Sequence, residues 1–268
     1  MLKIGLIGFG TIGRDVAQGI AEGKAGNAEL KAVLVRRLSS VDQELGDGVL
    51  VTDNEADFLG VDVDLVVEAA GHGAVQAHGV NVLQSGRDLI VVSVGAFCDQ
   101  SLYEAVWAAA EKAQRRIIVP SAAVAGLDRI AAGAQGRLDS VTLTTRKPVA
   151  AWRGTFAEEV VNLDTLTEAT EVFKGTAREA SRTFPESVNV SAALSLAGVG
   201  LDETIVRVMV DPDLDRNTHQ IEAVGQFGKV SIQVENTPSK KNPKTGYIVA
   251  MSVLKVIKGN ASPLVIGI

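Results

Sequence analysis

Cysteine is almost missing from this sequence: Cys98 is the single one in 268 residues. One thiol cannot close an intrachain disulfide, so a stapled secreted scaffold is excluded and a reducing, cytoplasmic setting is expected. Aromatic residues make up only 4% of the chain, and the net charge is −6. The one short basic stretch, Ser239-Lys-Lys-Asn-Pro-Lys244, has no aromatics interleaved with it, so no nucleic-acid groove with stacking platforms is expected. Uninterrupted apolar runs of about 18 residues, the length a bilayer demands, are lacking too. The opening run from Leu2 to Gly8 is too short for a signal-peptide core, so neither a membrane span nor a leader is expected. The three histidines show no short ligand spacing, and neither HExxH nor paired CxxC occurs, which argues against a catalytic metal.

What is present is enough apolar material, 46% of the residues, for one or two ordinary cores. Up to about Pro120, short apolar runs (Leu2–Gly8, Leu30–Val35, Leu65–Glu68, Leu89–Val94, Ile117–Val119) alternate with helical segments (Ile12–Glu22, Gly73–Gln84, Asp99–Ala113). That alternation predicts an α/β domain, a Rossmann-type doubly wound parallel sheet over residues 1–120. Beyond Leu138 the pattern changes. Val206, Val208 and Val210 share one face of their run, and Val230, Ile232 and Val234 share one face of theirs, as in an antiparallel sheet covered on one side. Thr176-Ala-Arg-Glu179 carries a capping-box pattern, and Ser187–Leu196 has the apolar face of a second helix. An α+β domain with an open antiparallel sheet is therefore expected over 121–241. Residues 242–268 are left as a final helix, Thr245 to Lys258, and a tail. Whether that helix returns to the first domain is open at this stage.

Between the first strand and helix stand Gly8, Gly10 and Gly13. A strand, a GxGxxG turn and a helix in that order make a dinucleotide site. Gly8 permits the tight turn, Gly10 lets backbone approach a pyrophosphate and Gly13 allows close packing. The N–H groups of the helix beginning at Thr11 and Ile12 face the phosphates. The second strand ends Leu34-Val-Arg-Arg37, where an NAD-selective site has an acid for the ribose 2′-OH. Arg36 and Arg37 can instead take a 2′-phosphate, so NADP is favoured over NAD, with dual use open. The loops Glu68-Ala-Ala-Gly-His72 and Ser93-Val-Gly-Ala96 fall at the carboxyl edge of the sheet. Ala70, Gly71 and Ser93 are expected beside the nicotinamide ribose.

Oxidising a carbinol or amine needs a group that handles a proton, and histidine suits that task. His78 lies inside a helical pattern and reads as a packing or surface residue. His72 opens that helix, where it caps or touches the coenzyme. His219 follows the polar loop Asp211-Pro-Asp-Leu-Asp-Arg-Asn-Thr218, a place from which a side chain can be presented across a cleft. Alone, its position suits a structural role as well as a catalytic one. Cys98 reads as a small buried hydrophobe, Trp107 as core and Trp152 as a pocket wall.

These residues resemble the L-aspartate dehydrogenases, amino-acid dehydrogenases linked to NAD biosynthesis, over nearly the whole chain. Besides the generic glycine turn, the markers are Glu68-Ala-Ala-Gly71, Pro120 to Asp128, Arg146-Lys-Pro148, Gly175 to Ala180, Phe184-Pro185, Asn189-Val190, Asp211-Pro212 with Asn217-Thr-His219, and Asn242-Pro-Lys-Thr245. The resemblance implies oxidation of L-aspartate to iminoaspartate and then oxaloacetate and ammonia, or the reverse amination, in a homodimer. It places the catalytic histidine at His219 and further nicotinamide contacts at Ala123 and Asn189. His219 would assist proton transfer from the amine and then activate water. Two substrate carboxylates call for donors, for which Lys147, Asn217, Lys244 and Thr245 are the candidates. A hand-off of the imine to quinolinate synthase is also implied. Some relatives are acidic where this chain has Arg36, so NAD preference does not transfer. The competing readings are a dihydrodipicolinate-reductase-like enzyme, a sugar oxidoreductase and a non-catalytic NADP-binding sensor. Against the sugar enzymes, Ser93-Val-Gly95 stands where they carry Glu-Lys-Pro.

Overall fold

A computed structural model describes residues 1–41, 45–239 and 245–267. The chain divides into two compact units, Met1–Ala122 with Ile248–Ile268, and Ala123–Tyr247.

Unit 1 runs β1 (Leu2–Ile7), α1 (Thr11–Ala21), β2 (Ala28–Leu34), β3 (Leu50–Thr52), α2 (Glu55–Gly60), β4 (Leu65–Glu68), α3 (His72–Gln84), β5 (Asp88–Val91), α4 (Gln100–Ala113) and β6 (Ile117–Ile118). The strands form one parallel sheet in the order β3-β2-β1-β4-β5-β6. The order reverses between β1 and β4, the point where such sheets leave a crevice for a ligand. Ile4, Leu6, Val33, Val67 and Ile90 are fully buried on one face with Val16 of α1, each side chain contributing roughly 1.5–3 kcal/mol. On the other face Phe58 of α2 presses on Gly5 and Val106 of α4 on Gly79.

Unit 2 runs α5 (Leu127–Gly133), β7 (Leu138–Lys147), α6 (Ala157–Val160), β8 (Thr170–Thr176), α7 (Ala177–Thr183), α8 (Val188–Ala197), β9 (Ile205–Val210), β10 (Asn217–Gly225) and β11 (Gly228–Asn236). Its sheet has the order β11-β10-β7-β9-β8. Val206, Val208 and Val210 are buried on one side of β9 while their neighbours are half-exposed. The capping box forms as expected: the Thr176 hydroxyl accepts from the Glu179 N–H, and the Glu179 carboxylate accepts from the Thr176 N–H.

Unit 1 is completed by α9 (Ile248–Asn260). Val249, Ala250, Val253, Leu254 and Ile257 of this helix lie in the same core as β1 and α1. A Cβ on Gly19 would sit 2.3 Å from the Leu254 side chain, so α1 and α9 meet where a larger residue would have to push Leu254 aside.

Several expectations are corrected. The second sheet is mixed, because β7 and β9 run parallel while the other pairs are antiparallel. The apolar run Leu89–Val94 stops as a strand at Val91, and Val94–Cys98 forms a short 3₁₀ turn. Trp107 is 49% exposed, since only Val106, Ala109 and Ala110 of α4 are buried. It leans on Tyr103, which leans on Phe97. Cys98 is half-buried. The last helix starts at Ile248 instead of Thr245, and the second unit spans 123–247 rather than 121–241. Among the described residues no helix is long and apolar enough to cross a membrane, and no cluster of three metal-ligating side chains occurs.

Candidate active site

In unit 1 the glycine turn is built by contact. Gly8 has φ +96° and packs on the next loop, where an added Cβ would lie 2.6 Å from the Ala70 Cβ. A Cβ on Gly13 would lie 2.3 Å from the Gly8 carbonyl oxygen, whereas one on Gly10 would meet nothing within 4 Å. The turn is therefore compressed at Gly8 and Gly13 and open at Gly10. Gly10 is the N-cap of α1 and no side chain caps the helix. The first-turn N–H groups at Thr11, Ile12 and Gly13, and the positive end of the helix dipole, are thus available to an anion. These features fit a dinucleotide pyrophosphate.

Ala70, Gly71 and Ser93 are brought together by a side chain that sequence reasoning did not single out. Glu68, at the end of β4 and 1% exposed, accepts through Oε1 from the N–H groups of Ala70 (2.7 Å) and Gly71 (2.9 Å) and from the Ser93 hydroxyl (2.9 Å). Its Oε2 accepts from the Ser93 N–H at 3.0 Å. One carboxylate so ties together two loops at the carboxyl edge of the sheet, where ligands of such folds bind.

Arg36 and Arg37 are exposed just beyond β2. A third cation reaches their loop from α1: Arg14 lies 4.9 Å over the Phe9 ring and donates to the Ser40 carbonyl at 2.7 Å. Its place four residues beyond Gly10 could have pointed to it. His72 is exposed at the start of α3. The His78 ring is held by Glu55 at 2.7 Å, which agrees with a packing role.

In unit 2 strand register assembles the polar groups. His219 on β10 stands directly across from Thr145 on β7, and the Thr145 hydroxyl lies 3.1 Å from His219 Nδ1. Period-2 geometry puts Asn217 on the face of His219 and Lys147 on the face of Thr145. Asn217 pairs with Asn236 of β11, whose amide donates to the Ala123 carbonyl at 2.9 Å. Lys147, 6% exposed, donates to the Ser187 hydroxyl at 2.8 Å and lies 4.5 Å from the centre of the Trp152 ring. Trp152 is no loose pocket wall. It is fully buried, edge-on to Phe184, and its indole N–H donates to the carbonyls of Lys147 and Met209. Arg146 points to the other side of β7 and pairs with Asp211.

His219 is 4% exposed. Burial, and after it the charge of Lys147, pushes its pKa down to about 4, so the imidazole is neutral at pH 7. Asn189 is exposed in the first turn of α8, two residues beyond Ser187. Thr245 stands three residues before α9, and its carbonyl accepts from the Ser239 N–H. The predicted helix start at Lys244 and Thr245 is therefore displaced, and Lys244 lies outside the described residues. Thr145 and Ser187 were missed at the level of sequence. The only signal for Thr145 was its two-residue spacing from Lys147.

The family model "Aspartate dehydrogenase, C-terminal" matches residues 128–260, and "Homoserine dehydrogenase, NAD binding domain" matches residues 8–120. The chain is 40% identical to the L-aspartate dehydrogenase of Methanosarcina barkeri, covering 100% of both chains. It is 41% identical to L-aspartate dehydrogenase 2 of Bordetella bronchiseptica over 99% of each. In fold it resembles the crystal structure of the aspartate dehydrogenase of Thermotoga maritima, with a TM-score of 0.78, 24% identity and full coverage of both chains.

Proposed function

The chain belongs to the L-aspartate dehydrogenase family, and from that premise we propose that it interconverts L-aspartate and iminoaspartate, which water converts to oxaloacetate and ammonia. A nicotinamide coenzyme held at the Gly8-Gly10-Gly13 turn would supply the acceptor for the Cα hydride. Everything else is work for the chain's own side chains. The reading is carried by the juxtaposition of His219, Thr145 and Lys147 on one buried face of the second unit's sheet.

Lys147 is the anchor for one carboxylate of the dicarboxylic substrate. Its ammonium is held in place by the Ser187 hydroxyl and the Trp152 ring, so little side-chain entropy is lost when an anion arrives. Asn217 and Thr245 are the candidates for the second carboxylate. His219, neutral at pH 7, meets the substrate as a hydrogen-bonding partner and proton carrier instead of as a fixed cation. The amine reacts unprotonated, because a nitrogen lone pair must form the new C=N bond as the hydride leaves. Ala123 and Asn189 are proposed as coenzyme contacts outside the glycine turn.

In unit 1, Arg36 and Arg37 favour NADP. Two exposed guanidinium groups at the end of the second strand can take a 2′-phosphate bidentately. Arg14, fixed to the same loop, adds positive potential there.

The decisive assay follows nicotinamide absorbance with oxaloacetate, ammonium and NADPH or NADH, using 2-oxoglutarate and pyruvate as controls. Oxidation that requires both ammonium and oxaloacetate is the expected result. Coenzyme binding without turnover on any of the three oxo acids would overturn the proposal in favour of a sensor.

A further inference from the structure

Thr145 is fully buried, and among the described residues its hydroxyl has a single hydrogen-bond partner, His219 Nδ1 at 3.1 Å. That contact can be made in two ways. If the hydroxyl donates, Nδ1 is a bare acceptor and the one proton of the neutral ring sits on Nε2. If Nδ1–H donates, the hydroxyl proton is left without an acceptor in a sealed position, which buried polar groups avoid. The ring carries one proton and not two at neutral pH, because burial and Lys147 disfavour the cation. Nε2 makes no hydrogen bond with the described residues and is not one of the walled-off unpartnered atoms. It is the nitrogen left for a ligand.

We propose that Thr145 is a positioning residue that locks His219 in the Nε2–H tautomer, so that the ring offers the substrate a hydrogen-bond donor instead of a lone pair. The inference deepens the proposed function and rests on its placing His219 at the substrate. A neutral donor suits a carboxylate or carbonyl oxygen of a dicarboxylic acid. It also separates two tasks in the resting enzyme: Lys147 supplies charge, and His219 supplies a directed hydrogen bond whose Nε2 proton it can pass to the substrate.

The test is long-range proton–nitrogen NMR of the full chain labelled with nitrogen-15 histidine at pH 7.5. With only three histidines in the chain, His72→Gln and His78→Gln assign the remaining ring to His219. The expected spectrum shows a protonated Nε2 and a bare Nδ1, the Nε2–H form predominating by about tenfold or more. Thr145→Val, which keeps shape and deletes the hydroxyl, should abolish that preference. It should also raise KM for the oxo acid about tenfold, an effect on the order of one lost hydrogen bond. Thr145→Ser should restore both. A protonated Nδ1 in the native enzyme, or a Thr145→Val spectrum identical to the native one, would overturn the inference. If Thr145→Val fails to fold, the native and Thr145→Ser spectra still decide it. The spectrum needs no turnover, so an inactive protein with the expected tautomer would count against the proposed reaction alone.

Discussion

The Glu68 carboxylate and the Ser93 hydroxyl meet at 2.9 Å inside unit 1, and through this pair the loop after β4 is tied to the loop after β5. Four donors converge on the one carboxylate. Replacing Glu68 by Ala takes this acceptor from all four; Gly71 keeps the Ser93 hydroxyl as a second partner, while the buried Ser93 donors are stranded at roughly 1–3 kcal/mol each. Glu68→Ala should lower the unfolding free energy by about 3 kcal/mol or more, read from urea unfolding, and weaken coenzyme binding in whatever folds. A loss below about 1 kcal/mol would show that the loops hold without it.

Gly10 and Gly13 make a matched pair. Gly10→Ala adds a methyl group where the fold has open space, with φ at −80°. Its urea midpoint should stay near native while the coenzyme Kd rises about tenfold or more, because the added carbon occupies the phosphate's approach. Gly13→Ala drives a carbon into the Gly8 carbonyl and should fail first in stability. The opposite ranking would place the phosphates elsewhere.

Coenzyme choice should follow Arg36 and Arg37. Exchanging Arg36 for Asp introduces the acceptor that a free 2′-OH prefers and repels a 2′-phosphate. The ratio of kcat/KM for NADP to that for NAD should fall about tenfold or more, with little change in thermal midpoint, since the side chain is exposed. A native enzyme no better with NADP than with NAD would refute the assignment.

The buried imidazole leaves a signature in stability against pH. His219 titrates near 4 in the folded chain and near 6.5 when unfolded. Between those values the unfolded state binds the extra proton, so folding stability is full above about pH 6.5 and falls as pH drops toward 4. The loss contributed by this one group is about 3 kcal/mol. Urea unfolding of the native protein and His219→Gln at pH 7.5, 5.5 and 4.5 should give a difference that shrinks with acidification. Parallel curves would mean the ring is not held neutral.

Removing His219 should leave unit 1 untouched. His219→Ala is expected to lower kcat/KM for the dicarboxylic substrate by about 10² or more, with the coenzyme Kd unchanged within twofold. Near-native turnover in a folded variant would take the proton carrier away from this residue.

What could be read in advance followed the range of each interaction. The glycine turn was legible because its constraints act over a few residues: Gly8 must accept positive φ, and Gly13 must clear the Gly8 carbonyl. The capping box at Thr176 was legible for the same reason. Short β3 and α2 carry too little periodicity to see. Trp107 was misread because the alanines around it look apolar on every side of the helix, while burial selects one face. The parallel pairing of β7 with β9 depends on how the chain crosses over between them, which period-2 alternation does not encode. The meeting of Thr145 and His219 joins positions 74 residues apart through strand register. His219 itself could be named from its motif, but the residue that decides which of its nitrogens carries the proton could not.

The crossing of α1 and α9 at Gly19 and Leu254 also sets a timetable for synthesis. Unit 1 lacks part of its core until residues 248–260 have been made, and all of unit 2 is made in between. The glycine turn and its helix therefore wait on the ribosome with an apolar flank uncovered, while the inserted unit can complete its own sheet from contiguous chain. Nascent chains stalled before Ile248 should accordingly be protease-sensitive in the coenzyme-binding half and protected in the other, so that competence to bind coenzyme arrives only with the final helix.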